Sequence, residues 1–159
     1  MQAKPRIRLI GLDIDGTLLN SEKRVTPRTA SAIRRAAEAG AAVAYVTGRP
    51  LSGVISCGIL TEGVRYVITS NGAMTYDLSD GAALRVRSIP KGDAKRIARI
   101  PMARGLIHSV FAGGCGHCEP RFYDMLMARY TGTRYFAYMR ATERIVDDLA
   151  AFIDETPDS

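Results

Sequence analysis

Three largely apolar stretches punctuate the first half of the chain: residues 6–13, with Ile7, Leu9, Ile10 and Leu12; residues 41–47, Ala-Ala-Val-Ala-Tyr-Val-Thr; and residues 65–70, Arg-Tyr-Val-Ile-Thr-Ser. Each has the length and β-branched content of a buried strand. Between the first two, Ala30, Ile33 and Ala37 recur at helical spacing. Thr26 suits the N-cap of that helix, Pro27 its first position and Gly40 its end. Gly48-Arg49-Pro50 predicts a second helix, running to about Ile59. Strand, helix, strand, helix, strand, with near-continuous apolar strands, predicts a parallel sheet covered on both faces and joined by right-handed crossovers.

After residue 73 the pattern changes. Residues 73–77 and 84–89 read as a hairpin across Ser79-Asp80-Gly81, and Lys91 to Arg104 as a helix that Pro101 would break or kink. Leu106 to Ala112 reads as a strand ended by Gly113-Gly114, Glu119 to Tyr130 as a helix, Tyr135 to Met139 as a short strand, and Val146 to Ile153 as a last helix. The chain therefore divides into an α/β part, 1–79, and an α+β part, 80–159.

Composition narrows the function classes. Of 159 residues 47% are hydrophobic and 24% charged, as in an ordinary globular domain. No apolar run approaches the roughly 20 residues of a membrane span, and residues 1–6 lack the apolar core of a secretion signal, so a cytoplasmic protein is expected. The formal charge of +6 favours anionic partners. The Lys and Arg residues are scattered without interleaved aromatics, which argues against nucleic acid. Three cysteines, Cys57, Cys115 and Cys118, read as reduced thiols. Cys115-Gly116-His117-Cys118 has the spacing of half a zinc site but reads better as a loop.

The chemistry concentrates at Asp13-Ile14-Asp15-Gly16-Thr17-Leu18. Two carboxylates one residue apart at the end of a buried strand are costly to desolvate and need a reason to be there. Residues i and i+2 of a strand point the same way. A strand ending at Asp13 and turning at Gly16 would let Asp13 and Asp15 face one small space, suited to a hard divalent cation and a phosphate. Asp-x-Asp-Gly also occurs in ordinary turns and calcium-type loops. In helix-covered parallel sheets ligands sit beyond the carboxyl ends of the strands. Asp13–Thr17, Thr47–Arg49 and Ser70–Ala73 all fall there.

Asp13-Ile14-Asp15-Gly16-Thr17 resembles the first signature of the haloacid dehalogenase (HAD) superfamily in its phosphatase form, Asp-x-Asp-x-Thr. Val46-Thr47-Gly48-Arg49 and Ser70-Asn71-Gly72-Ala73 resemble the second- and third-strand motifs of its Cof-type phosphatases; Asn71-Gly72 alone would also suit an ordinary turn. The resemblance implies a Rossmann-like core whose front half is 1–79, and part of an α+β cap over 80–159. It implies a magnesium-dependent phosphatase of small phosphorylated metabolites, sugar-phosphate-like, working through an aspartyl-phosphate. Asp13 would be the nucleophile and Asp15 the general acid, then base. Magnesium would take oxygens from Asp13 and from the Asp15 carbonyl. Thr47, Gly48 and Asn71 would hold the phosphate, with Gly16, Thr17 and Arg49 in support.

The chain departs from that family in its later signatures. No Gly-Asp-x-x-Asn-Asp run occurs, and the phosphoryl-steadying lysine that follows the cap has no counterpart. The chain thus reads as the front part of such a phosphatase, with little or no activity of its own. The alternative is a non-catalytic remnant or interaction module that keeps the fold. Without the later strands, the first strand would be an exposed edge, which favours self-association.

Overall fold

The computed structural model describes residues 7–156. They form two compact units, one within 1–49 and 58–86, the other within 50–57 and 87–159.

The first unit is built on a five-stranded sheet in chain order: β1 (Leu9–Asp13), β2 (Ala42–Val46), β3 (Val64–Thr69), β4 (Met74–Asp77) and β5 (Ala83–Val86). β1, β2 and β3 pair in parallel, with Leu9 opposite Ala42 and Asp13 opposite Val46. β4 and β5 then add antiparallel. The sheet is therefore mixed, because the 73–89 hairpin continues the parallel strands rather than standing apart. β2 is its most buried strand: Val43, Ala44 and Tyr45 are all at or below 2% exposure. The Tyr45 hydroxyl lies 2.8 Å from Thr61 Oγ1 and 3.1 Å from the Ile59 carbonyl, so its one polar atom is satisfied. α1 (Pro27–Glu38) begins as its sequence predicts, with Thr26 Oγ1 accepting from the Thr29 amide at 3.2 Å and Pro27 in the first turn. Ile33 is its buried residue. β1 is an edge strand, and Ile7 and Leu9 remain 68% and 63% exposed.

The second unit contains α2 (Leu51–Ser56), α3 (Lys91–Ala103) and a three-stranded sheet of β6 (Val110–Ala112), β7 (Cys115–Cys118) and β8 (Glu143–Ile145). α4 (Pro120–Tyr130), α5 (Phe136–Thr142) and α6 (Leu149–Glu155) complete it. Ala98 of α3 packs with Leu149 and Ile153 of α6, bordered by Val110 and Phe152. Lys95 ties the two helices on the outside, with Nζ 2.6 Å from Asp154 Oδ1.

Four expectations are corrected here. Pro101 does not break α3, which runs on to Ala103; its missing N–H and its ring act on the Ile97 carbonyl, and so close to the helix end little helix follows to be disrupted. Tyr135–Met139 is not a strand but lies mainly in α5, which packs on α2; Gly53 of α2 leaves the room that the Tyr138 hydroxyl fills, so tertiary packing overrides the β-propensity of two tyrosines and a phenylalanine. The Cys115–Cys118 segment is the central strand β7 and not a loop, since Gly113-Gly114 turns the chain back antiparallel onto β6. The last helix starts at Leu149 and not Val146, because Asp148 caps it, Oδ1 accepting from the amides of Ala150 and Ala151 at 2.8 Å each.

Candidate active site

The carboxyl ends of β1, β2 and β3 carry the three loops that the sequence singles out. At the end of β1, Asp13 is exposed and Ile14 is fully buried. The chain leaves the strand through a wide turn over Ile14–Leu18, closed by the Leu19 amide on the Ile14 carbonyl at 3.1 Å. Gly16 takes φ +85° there, a conformation open to glycine at no steric cost. Thr17 is exposed, and among the described residues its hydroxyl makes no hydrogen bond, so burial of Ile14 and Leu18 orders the turn instead.

Asp15 reaches the second loop. Arg49 grips it in fork geometry, Nε to Oδ2 at 2.7 Å and Nη2 to Oδ1 at 2.8 Å. Lys23 Nζ lies 3.3 Å from the same Oδ1. The Arg49 side chain is only 15% exposed, whereas Asp15 is 43% exposed. Hydrogen bonding to Arg49, partly opposed by burial, holds the Asp15 carboxyl below its usual range, and Lys23 adds to the effect. Asp13 is exposed and makes no ion pair among the described residues.

The second and third loops are stitched together. Thr47 is buried and its hydroxyl oxygen accepts from the Arg49 amide at 3.1 Å. The Thr47 carbonyl accepts from the Asn71 amide at 3.2 Å, and the Arg49 carbonyl from the Ser70 amide at 3.0 Å. Ser70, Asn71 and Gly72 all have positive φ, at 50°, 57° and 92°. Two consecutive non-glycine residues in that region cost free energy and persist only where surrounding bonds hold them. Gly48 makes the approach feasible: a β-carbon there would lie 2.8 Å from Asn71 Oδ1.

Asp15, Thr47, Gly48, Arg49 and Asn71 are thus linked by bonds or close approach, with Asp13 adjoining them in sequence. The residue that sequence reading missed is Lys23. The available signal was Asn20, a turn former, three positions before it. Asn20 Oδ1 accepts from the amides of Glu22 and Arg24 at 3.1 and 2.9 Å, and the resulting turn sets Lys23 at φ +59°.

The donor set bears on metals. Among the described residues no three His, Cys, Asp or Glu side chains converge. The zinc-like spacing of Cys115, His117 and Cys118 fails for a simple reason: residues alternate faces along β7, so Cys115 and Cys118 point to opposite sides of the sheet. The exposed Asp13 carboxylate at the end of β1 could offer oxygen to a hard divalent ion.

Comparison with known proteins gives one consistent picture. A family model for haloacid dehalogenase-like hydrolases matches residues 10–115. The chain is 39% identical over 74 residues to the 5-amino-6-(5-phospho-D-ribitylamino)uracil phosphatase YcsE of Bacillus subtilis, covering 45% of this chain and 28% of that protein. It is 34% identical over 111 residues to the phosphatase YwpJ of the same organism, covering 67% of this chain and 37% of the relative. A solved haloacid dehalogenase-like hydrolase from B. subtilis superposes with a TM-score of 0.70 at 24% identity, over 96% of this chain and 58% of that one. The matches therefore span less than two thirds of these relatives' lengths.

Proposed function

The chain belongs to the haloacid dehalogenase-like hydrolase family, and from that premise we propose that it carries the phosphoryl-transfer site of a phosphatase of small phosphorylated metabolites. The observation that supports this most is the Asp15–Arg49 fork, which joins the β1 and β2 loops directly beside Asp13. An inert phosphate ester calls for a nucleophile, a proton donor for the leaving oxygen and positive charge around the phosphoryl group.

In this reading Asp13 attacks phosphorus, a new P–O bond forms to its carboxylate, and the bond to the leaving oxygen breaks. Asp15 delivers the proton to that oxygen. Asp15 then takes a proton from water as the water attacks the aspartyl-phosphate, releasing phosphate and restoring Asp13. Asp15 must enter the first step protonated, which its contacts with Arg49 and Lys23 oppose; having given up that proton, it is left in the ionised form that the second step uses and that those contacts favour. The Thr47 hydroxyl, the Gly48 amide and Asn71 would hold the phosphoryl oxygens. Asp13 and the Asp15 carbonyl would hold magnesium, whose contribution is to offset the repulsion between carboxylate and phosphate. Residues 1–79 would be the front of the catalytic core, and residues from 80 part of a cap, with β5 carried on the core sheet. A cytoplasmic location and self-association through the β1 edge belong to the same proposal.

A second reading has its own support. The absence of a third converging acid among the described residues favours a remnant that keeps the fold without turnover. One experiment separates the two: magnesium-dependent hydrolysis of a chromogenic aryl phosphate by the wild type, Asp13→Asn and Asp15→Asn. The enzyme reading expects no turnover above background with Asp13→Asn and roughly a hundredfold loss or more with Asp15→Asn. Activity that is equal in all three proteins would refute the assigned roles; a folded but inactive wild type would favour the remnant.

A further inference from the structure

Lys23 is unusual on three counts. It is a lysine in the left-handed backbone region, φ +59°, where non-glycine residues are uncommon. Its turn is closed four times over: the Asn20 amide donates to the Arg24 carbonyl at 3.1 Å, the Lys23 amide donates to the Asn20 carbonyl at 2.9 Å, and Asn20 Oδ1 accepts two further amides. Glu22, the acid next to it in sequence, is paired with Arg24 and leaves Lys23 alone. So much local order ends in one ammonium group, 3.3 Å from Asp15 Oδ1.

That contact is one cation more than Asp15 needs. Arg49 already occupies both carboxylate oxygens. Arg49, Lys23 and Asp15 together carry one surplus positive charge. Arg49 is the inner partner, 15% exposed with two short bonds; Lys23 is the outer one, 39% exposed with a single longer bond. An incoming anion can therefore take the Lys23 contact while the Arg49 fork stays closed. In the reading proposed above, on which this inference rests, Asp15 stands on the leaving-group side of the phosphoryl group. A cation fixed beside Asp15 consequently meets the leaving group and not the transferred phosphoryl.

We infer that Lys23 is a specificity-determining residue for the leaving group, and that it favours substrates whose leaving group carries its own anion beside the scissile oxygen: organic diphosphates losing their terminal phosphoryl group. The P–O bond between the terminal phosphorus and the bridging oxygen breaks, a bond from that phosphorus to Asp13 forms, and the monophosphate ester departs with the bridging oxygen. Water completes the second step, so the products are the monophosphate and inorganic phosphate.

The test is calorimetric titration of the full chain, in magnesium-containing buffer, with inorganic pyrophosphate and inorganic phosphate. The variants are Lys23→Met, Lys23→Arg, and Arg28→Gln as removal of an exposed charge on α1. Replacing one charge-assisted contact at a partly exposed site should weaken pyrophosphate binding about five- to tenfold. Phosphate binding should change by less than about twofold, and Lys23→Arg should restore pyrophosphate affinity. An equal loss for both anions with Lys23→Met, or an equal loss of pyrophosphate affinity with Arg28→Gln, would overturn the inference and leave the phosphate site standing. Failure of the wild type to bind either anion would overturn the site and the inference together.

Discussion

Gly116 and Glu143 offer the sharpest test of packing in the second unit. They are partners across β7 and β8, and a β-carbon on Gly116 would run into both carboxylate oxygens of Glu143. Glu143 is 8% exposed and accepts from the Ser109 hydroxyl at 2.7 Å, while burial pushes its carboxyl above the usual range. Gly116→Ala must therefore expel the carboxylate from its niche and break the Ser109 bond. Overpacking costs about 1–3 kcal/mol, and losing a hydrogen bond to a buried acid about 1.5–3 kcal/mol. Replacing a strand glycine by alanine returns roughly 0.5–1 kcal/mol. The net expectation is a destabilisation of about 1.5–5.5 kcal/mol. Two compact units make a whole-chain melting curve ambiguous, so the measurement is amide hydrogen exchange at β7 and β8. A loss of about 2 kcal/mol speeds exchange there roughly thirtyfold. Glu143→Ala should absorb the effect: once the carboxylate is gone, adding Gly116→Ala should change exchange little, a coupling of about 2 kcal/mol or more. Additive effects, or a Gly116→Ala cost under about 1 kcal/mol, would show that Gly116 is not there to make room for Glu143.

Further outcomes follow from single residues. Hydrogen bonds from the Ser79 hydroxyl and amide, then Arg65, bring the Asp77 carboxyl down to about 2; its contribution to stability is present above the unfolded value near 3.8 and is lost as pH falls from there toward 2. Amide hydrogen exchange at β3 and β4, corrected for the intrinsic pH dependence of exchange, should lose protection across that window in the wild type and change less in Asp77→Asn. Thr26→Ala removes the α1 cap and should cost about 1 kcal/mol, measured as faster amide hydrogen exchange in α1. Burial raises the Cys118 thiol to about 11, so alkylation of the folded protein at pH 8 should modify exposed Cys57 and spare Cys118, as peptide mass mapping would show.

The α/β half was legible because its signals are local. Thr26-Pro27 and Gly40 bracket α1, and β2 is buried on both faces, which is what makes residues 41–47 read as one apolar run. The α+β half was less so. Tyr135–Met139 has strand-like residues, and its packing as a helix involves the niche that Gly53 leaves for Tyr138, 85 positions away. β7 is small and polar, its place set by β6 and by β8, 27 residues on from Gly116. At the candidate site the residue types were readable one loop at a time. The Asp15–Arg49 fork joins residues 34 apart, and the Lys23 contact depends on a turn with a left-handed residue. Neither pairing has a periodic trace in the sequence.

The bonds between the loops after β2 and β3 have a mechanical consequence. The Thr47 amide continues the sheet ladder onto Ile68, while the Thr47 and Arg49 carbonyls accept from Asn71 and Ser70. Two connections that look like separate surface loops are in effect one stiff clasp, and the Arg49 side chain extends the clasp to the first turn. Such a part yields as a whole or not at all. Local opening at Asn71 would release Thr47 and Arg49 with it, so the amides of Thr47, Ser70 and Asn71 should share one protection factor despite the exposed Asn71 side chain.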